Sequence, residues 1–168
     1  MALASGLASC DTEEPAAPLA IKSINAEYSV QLGQLWLDYY VITVEYRNNR
    51  GEFKTFNLTD TEKWSYSFSL SPENAPKDYC FRVLATPKKD YPEIDDNVKY
   101  VFEKNITCEF YSVRYNGEIF KELSSDLYPF SSTTNQDEIF TGTTPSNRMN
   151  GNHTWNLCNF SLNWDGKF

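Results

Sequence analysis

KWSYSFSL, Lys63 to Leu70, sets Trp64, Tyr66, Phe68 and Leu70 in strict alternation with Lys63, Ser65, Ser67 and Ser69. Successive side chains of a strand point to opposite faces, so this spacing puts every large apolar group on one side of a sheet; a helix would scatter them. Upstream, WLDYYVITVEY, Trp36 to Tyr46, is apolar on both faces for much of its length and reads as a central strand. Asn48, Asn49 and Gly51 punctuate a reversal, FKTFNL (Phe53 to Leu58) is the return strand, and DYCFRVLA (Asp78 to Ala85) follows a loop containing Pro72 and Pro76.

Downstream, Val98, Tyr100, Phe102, Ile106, Cys108 and Phe110 share one parity, whereas Val113 and Tyr115 fall on the other, which predicts a bulge near Tyr111. Asn116 and Gly117 suit a two-residue type I′ hairpin, with Ile119 to Leu123 as the returning arm. WNLCNFSLNW, Trp155 to Trp164, sets Cys158, Phe160, Leu162 and Trp164 against Leu157, Asn159, Ser161 and Asn163. No internal repeat is visible. The 11 Tyr, 11 Phe and 4 Trp favour half-buried pleated surfaces. The fold expected is all-β: an antiparallel β-sandwich, immunoglobulin/fibronectin-like, of seven to nine strands and a single domain spanning 20–168.

Charge and composition narrow the function. Fifteen basic against twenty-three acidic residues leave a formal charge of -8, which repels a phosphate backbone, so no nucleic-acid partner is expected. His153 is the one histidine of the chain, which removes most routes to a His-based zinc site or a Ser-His-Asp triad and leaves carboxylates or Tyr to carry any catalysis. The expectation is a protein that is not an enzyme.

The first ten residues, MALASGLASC, are small and apolar, and the chemistry changes at Cys10 to DTEEPAAP. Leu7, Ala8, Ser9 and Cys10 resemble the lipobox of bacterial lipoproteins, in which a peptidase cuts before a cysteine whose sulfur takes a diacylglycerol. That resemblance implies a signal remnant over 1–9, lipidation of Cys10, and an acidic tether over 10–19 kept extended by like charges and by Pro15 and Pro18. A basic n-region and a full apolar h-region are missing before Leu3, so the true start of the signal is expected upstream of Met1. The run Asp11, Glu13 and Glu14 is similar to the export signal of surface lipoproteins in Bacteroidetes, which implies a lipid-anchored location at the outer membrane, on the cell surface or the periplasmic face. No other segment approaches the run of about eighteen apolar residues needed to span a bilayer.

Three constellations could carry chemistry. Cys108 and Cys158 lie on the apolar parity of their strands and could form a disulfide across the core, or all three remaining cysteines could be plain buried thiols; Cys80 shares its parity with Arg82 and Leu84. Asp90, Glu93, Asp95 and Asp96 gather oxygen ligands in one loop, enough for a calcium ion but without an EF-hand spacing; a solvated acidic loop explains them as well, and no cofactor is otherwise expected. The polar stretch from Ser131 to Thr154 is long for a compact domain. Asn135, Asp137 and Arg148 within it could bind a ligand, with Trp155 as a flat ring for stacking on a sugar, flanked by Tyr128, Phe130 and Trp164; the alternative is an insertion whose flanking rings belong to the core. These features support a membrane-anchored binding or adhesion module, for which a glycan is one candidate ligand. A structural subunit of a cell-envelope complex is the alternative, predicting a large apolar surface patch, and a carboxylate hydrolase is the third, needing two acids about 5 to 9 Å apart in a cleft.

Overall fold

The computed structural model describes residues 20–95, 97–120, 131–134, 138–141 and 153–163. In IKSINAEYSVQL, Ile24, Ala26, Tyr28, Val30 and Leu32 alternate with polar residues, and this stretch forms β1 (Ile21–Leu32) with those five side chains fully inside. A short helix α1 (Gln34–Tyr39) leads into β2 (Tyr40–Arg47), β3 (Phe53–Leu58), β4 (Trp64–Leu70) and, past a 3-10 turn at Pro72–Asn74, β5 (Asp78–Pro87). Then follow β6 (Lys99–Phe102), β7 (Lys104–Arg114), β8 (Ile119–Phe120), β9 (Ser131–Thr134), β10 (Glu138–Thr141) and β11 (Trp155–Asn163).

One sheet runs β4-β1-β7, with β8 and β9 both pairing β7; the other runs β11-β5-β2-β3, and β6 with β10 forms a separate ribbon. Every pairing is antiparallel. The two large sheets close on one core: Tyr28 of β1 stacks on Phe81 of β5 with ring centroids 4.9 Å apart, and Tyr79 meets Phe110 at 4.3 Å. The chain is therefore an antiparallel β-sandwich. The pairs β1–β4 and β2–β5, with β11 beside β5 and β3 beside β2, follow the neighbour relations of an immunoglobulin-type sandwich. One relation differs. The flank of β1 that such a fold gives to a preceding strand is taken by β7, whose sequence lies between β5 and β11.

Three local expectations are corrected. Trp36 to Tyr39 belongs to α1 and only Tyr40 onward is strand, because an apolar run with no clean period fits a buried helix as well as a strand. Gly33 starts that turn: its amide donates to the Glu103 carbonyl at 2.9 Å, and a Cβ at Gly33 would lie 3.1 Å from that of Glu103. Trp36 then packs its ring 5.0 Å from Phe102, closing that end of the sandwich. The bulge predicted at Tyr111 sits instead on the partner strand. Ile21 and Ser23 face consecutive residues Arg114 and Val113, making Lys22 the extra residue, while β7 keeps its parity through buried Ser112.

The turn at Asn116-Gly117 is a three-residue loop and not a two-residue one. The Gly117 amide donates to the Arg114 carbonyl at 3.0 Å, the Arg114 amide to the Glu118 carbonyl at 2.9 Å, and Gly117 has φ of 88°. That is a β-turn closed by a bulged glycine in the left-handed region. The β2–β3 turn repeats it, with Gly51 at φ of 75° and the Glu52 carbonyl accepting from the Asn48 amide.

Candidate functional site

The face of β1 turned away from the core carries Asn25, Glu27, Ser29 and Gln31, and pairing extends each into a row across the sheet. Ser29 stands between Ser65 of β4 and Thr107 of β7, Glu27 between Ser67 and Glu109, and Asn25 between Ser69 and Tyr111. Gln31 lies opposite Asn105. Backbone register continues two rows onto β9, setting Thr133 opposite Thr107 and Ser131 opposite Glu109. Strand spacing makes these rows a lattice of about 4.8 Å between strands and about 6.7 Å along them.

Hydrogen bonds tie the rows together. The Ser29 and Thr107 hydroxyls bond to each other, and the Tyr111 hydroxyl donates to Glu27 Oε1 at 2.6 Å. That bond, helped by partial burial, pushes the Tyr111 phenol up to about 12. Asn25 Nδ2 donates to Ser23 Oγ at 3.1 Å. Glu27 and Glu109 are register partners on this face.

At the α1 end the face runs into a cleft of about 530 Å³ lined by Gln31, Gln34, Thr61, Glu103, Lys104 and Asn105 among others. Gly33 lies close against Glu103 in its lining, and the Gln34 side-chain amide donates a hydrogen bond to Asp38 Oδ1 at 2.8 Å. Amides, a hydroxyl, a carboxylate and an ammonium therefore meet within reach of one small polar ligand or one residue of a longer one.

None of the described residues predicted from sequence lines this cleft. Cys10, Asp96, Asn135, Asp137 and Arg148, with Tyr128, Phe130 and Trp164, lie outside the described residues. Trp155 is described, and it turns inward. Asn156 and Cys158 of β11 face consecutive residues Leu84 and Val83, so Leu157 is an extra residue, and the parity shift sets Trp155 opposite the fully buried Ala85. The half-buried indole packs against the core and is not a free stacking platform.

The acidic loop is built on local structure. Asp95 Oδ1 accepts from the Asn97 amide at 2.9 Å and from its side chain at 3.1 Å, the Asp95 amide donates to the Tyr100 hydroxyl, and Tyr91 and Ile94 anchor the loop on the core. Among the described residues no three His, Cys, Asp or Glu side chains converge as a metal site, so Asp90, Glu93 and Asp95 do not form a calcium cage with one another.

Cys80, Cys108 and Cys158 are free buried thiols, with no bridge between Cys108 and Cys158. Burial raises all three, Cys158 to about 11, and the proximity of Cys158 raises Cys108 further. Such thiols are inert as nucleophiles.

Fold and surface together define the class, an all-β sandwich whose β4-β1-β7 sheet carries polar rows that end in a cleft. No particular family is assigned: no family model matches the chain, and no curated protein matches it.

Proposed function

We propose that the chain is a non-catalytic binding module, exported and held at the outer membrane by a lipid on Cys10, and that the outer face of β4-β1-β7 with its cleft takes an extended hydroxyl-rich ligand, a glycan. The observation that carries this reading is the run of rows from Asn25 to Gln31, which set hydroxyls, amides and carboxylates in register, the first three rows across β4, β1 and β7 and the Gln31 row onto β7 alone. Sugar hydroxyls donate and accept at once, and so do these groups. The envelope-subunit alternative calls for a broad apolar patch, whereas the exposed large hydrophobics among the described residues, Val41, Phe53, Val98, Tyr115 and Ile119, are spread over β2, β3, a loop and one hairpin.

The test is a glycan array probed with the full chain carrying Cys10→Ser, with and without calcium, followed by titration of the best glycan. Asn105→Ala and Glu27→Ala should each weaken binding about tenfold, which corresponds to about 1.4 kcal/mol. Trp155→Ala and Asp95→Ala should leave the affinity of the folded protein unchanged, and so should calcium. Silence across the array from a folded protein would overturn the glycan reading; loss confined to Trp155→Ala would move the site to β11.

A further inference from the structure

We infer that the tip of the β7–β8 hairpin, Tyr115 with Ile119, sits in the headgroup layer of the bilayer that holds the Cys10 lipid, so that the polar cleft points away from the membrane. This rests on the lipidation proposed above. Tyr115 and Ile119 are 71% and 59% exposed, more than any other large hydrophobic among the described residues. The loop between them is held by two backbone hydrogen bonds, so both side chains are presented by a defined turn.

The position of the hairpin supplies the partner. The Tyr115 amide donates to the Ala20 carbonyl at 3.3 Å, and Ile21 pairs with Arg114, so the hairpin lies beside the point where the segment from Cys10 joins the sandwich. Ten residue steps from Cys10 to Ala20 reach at most about 35 Å, which keeps this end of the domain near the anchor. Lys22, the exposed extra residue of the β1 bulge, adds a cation beside the tip, suited to lipid phosphates. Tyrosine favours the headgroup level, where its ring meets acyl chains and its hydroxyl meets water. Two side chains suffice here, because the anchor supplies the high local concentration that a free domain would lack. The twelve residues of β1 place the cleft at Leu32 about 35 Å beyond the hairpin end.

The experiment uses the acylated full chain in vesicles of phosphatidylethanolamine and phosphatidylglycerol. An environment-sensitive dye is attached to Glu118→Cys, which leaves Tyr115 and Ile119 in place, or to Thr61→Cys at the cleft; Cys10 is blocked by its lipid, and the buried thiols are poor nucleophiles. The dye at position 118 should shift to the blue and be quenched by nitroxide headgroup lipids, the dye at 61 should do neither, and Tyr115→Ser with Ile119→Ser should abolish the shift. Water-like emission from both dyes on a chain that floats with the vesicles would overturn the inference while leaving the lipidation standing. A chain that does not float overturns both. A shift at 118 that appears only when envelope protein is added would assign the hairpin to a protein partner and overturn the bilayer assignment.

Discussion

The two faces of β1 carry opposite chemistry on one stretch of backbone. Inward, Ile24, Ala26, Tyr28, Val30 and Leu32 are buried to 2% exposure or less, and their identities are dictated by the volume between the sheets. Outward, Asn25 bonds to Ser23 along the strand, Ser29 and Glu27 bond sideways to Thr107 and Tyr111 of β7, and Asn25 and Ser29 are themselves largely covered while Glu27 and Gln31 are exposed. A face that only had to be soluble would tolerate long, mixed charges. This one sets hydroxyls, amides and carboxylates in register, a density of donors and acceptors that the proposed ligand would use. The contrast separates what holds the fold from what is free to serve binding.

The contrast breaks most visibly by truncation at adjacent positions. Tyr28→Ala removes a ring stacked on Phe81 and edge-on to Tyr46 and Phe68, and should cost about 3–5 kcal/mol in chemical denaturation. Glu27→Ala, one residue away, should change stability by no more than about 0.5 kcal/mol. Similar losses from the two would make the outer face structural and remove the case for a binding surface.

Alkaline pH attacks the buried interior most strongly, with outer-face Tyr111 adding a smaller share. Burial raises Tyr28, Tyr79, Cys108 and Cys158, so the folded protein keeps them protonated where the unfolded chain releases protons. Stability from these groups is intact below the unfolded values, about 8.5 for Cys and about 10 for Tyr, and falls as pH rises through the folded ones. Thermal melts should therefore lose stability steadily from about pH 8.5 upward. Cys158, raised from 9 to about 11, accounts for on the order of 2 kcal/mol of that loss, and Cys158→Ala should flatten the slope by about this much. A flat profile to pH 11 would contradict a dry interior between the sheets.

Tyr28→Phe is a subtler test. The Tyr28 hydroxyl is buried without a hydrogen-bond partner among the described residues, so its removal should stabilise the fold by about 1 kcal/mol. A loss of stability in the same melts would mean that the hydroxyl is satisfied inside the core.

The alternation in KWSYSFSL was legible at sight, and β4 pairs along its whole length with the central strand β1. The segment of β1 alternates as cleanly but draws less attention, because Ala26 and the Asn, Glu and Ser between its apolar positions dilute the pattern. Trp155 shows what a single sequence hides. A bulge at Leu157 is a property of the pairing with β5, and it reverses the side to which Trp155 points without changing the residue itself. The candidate site was illegible for the same reason: its rows join Ser29 to Thr107 and Glu27 to Tyr111, pairs separated by 78 and 84 residues, and only strand order brings them together.

The smallest effect on stability should discriminate most finely between the two faces. Ser29→Ala deletes one partner of the Ser29–Thr107 hydroxyl pair at the centre of the outer face, where Ser29 is 6% exposed. The isolated hydrogen bond contributes about 0.5–1 kcal/mol, and Thr107 keeps a hydroxyl able to turn toward solvent, so the melting temperature should fall by no more than a few degrees. If the rows take a glycan as proposed, affinity should respond more strongly than stability, because the variant frees the Thr107 hydroxyl and alters the middle of the lattice. Asn57→Ala on β3, a polar position of the other sheet held by the Thr43 hydroxyl at 3.2 Å, is the matched control. It should produce a comparable small loss of stability and no change in binding. Equal binding losses from both would place the ligand site off the β4-β1-β7 sheet, and equal indifference would leave the polar rows as a solvated surface.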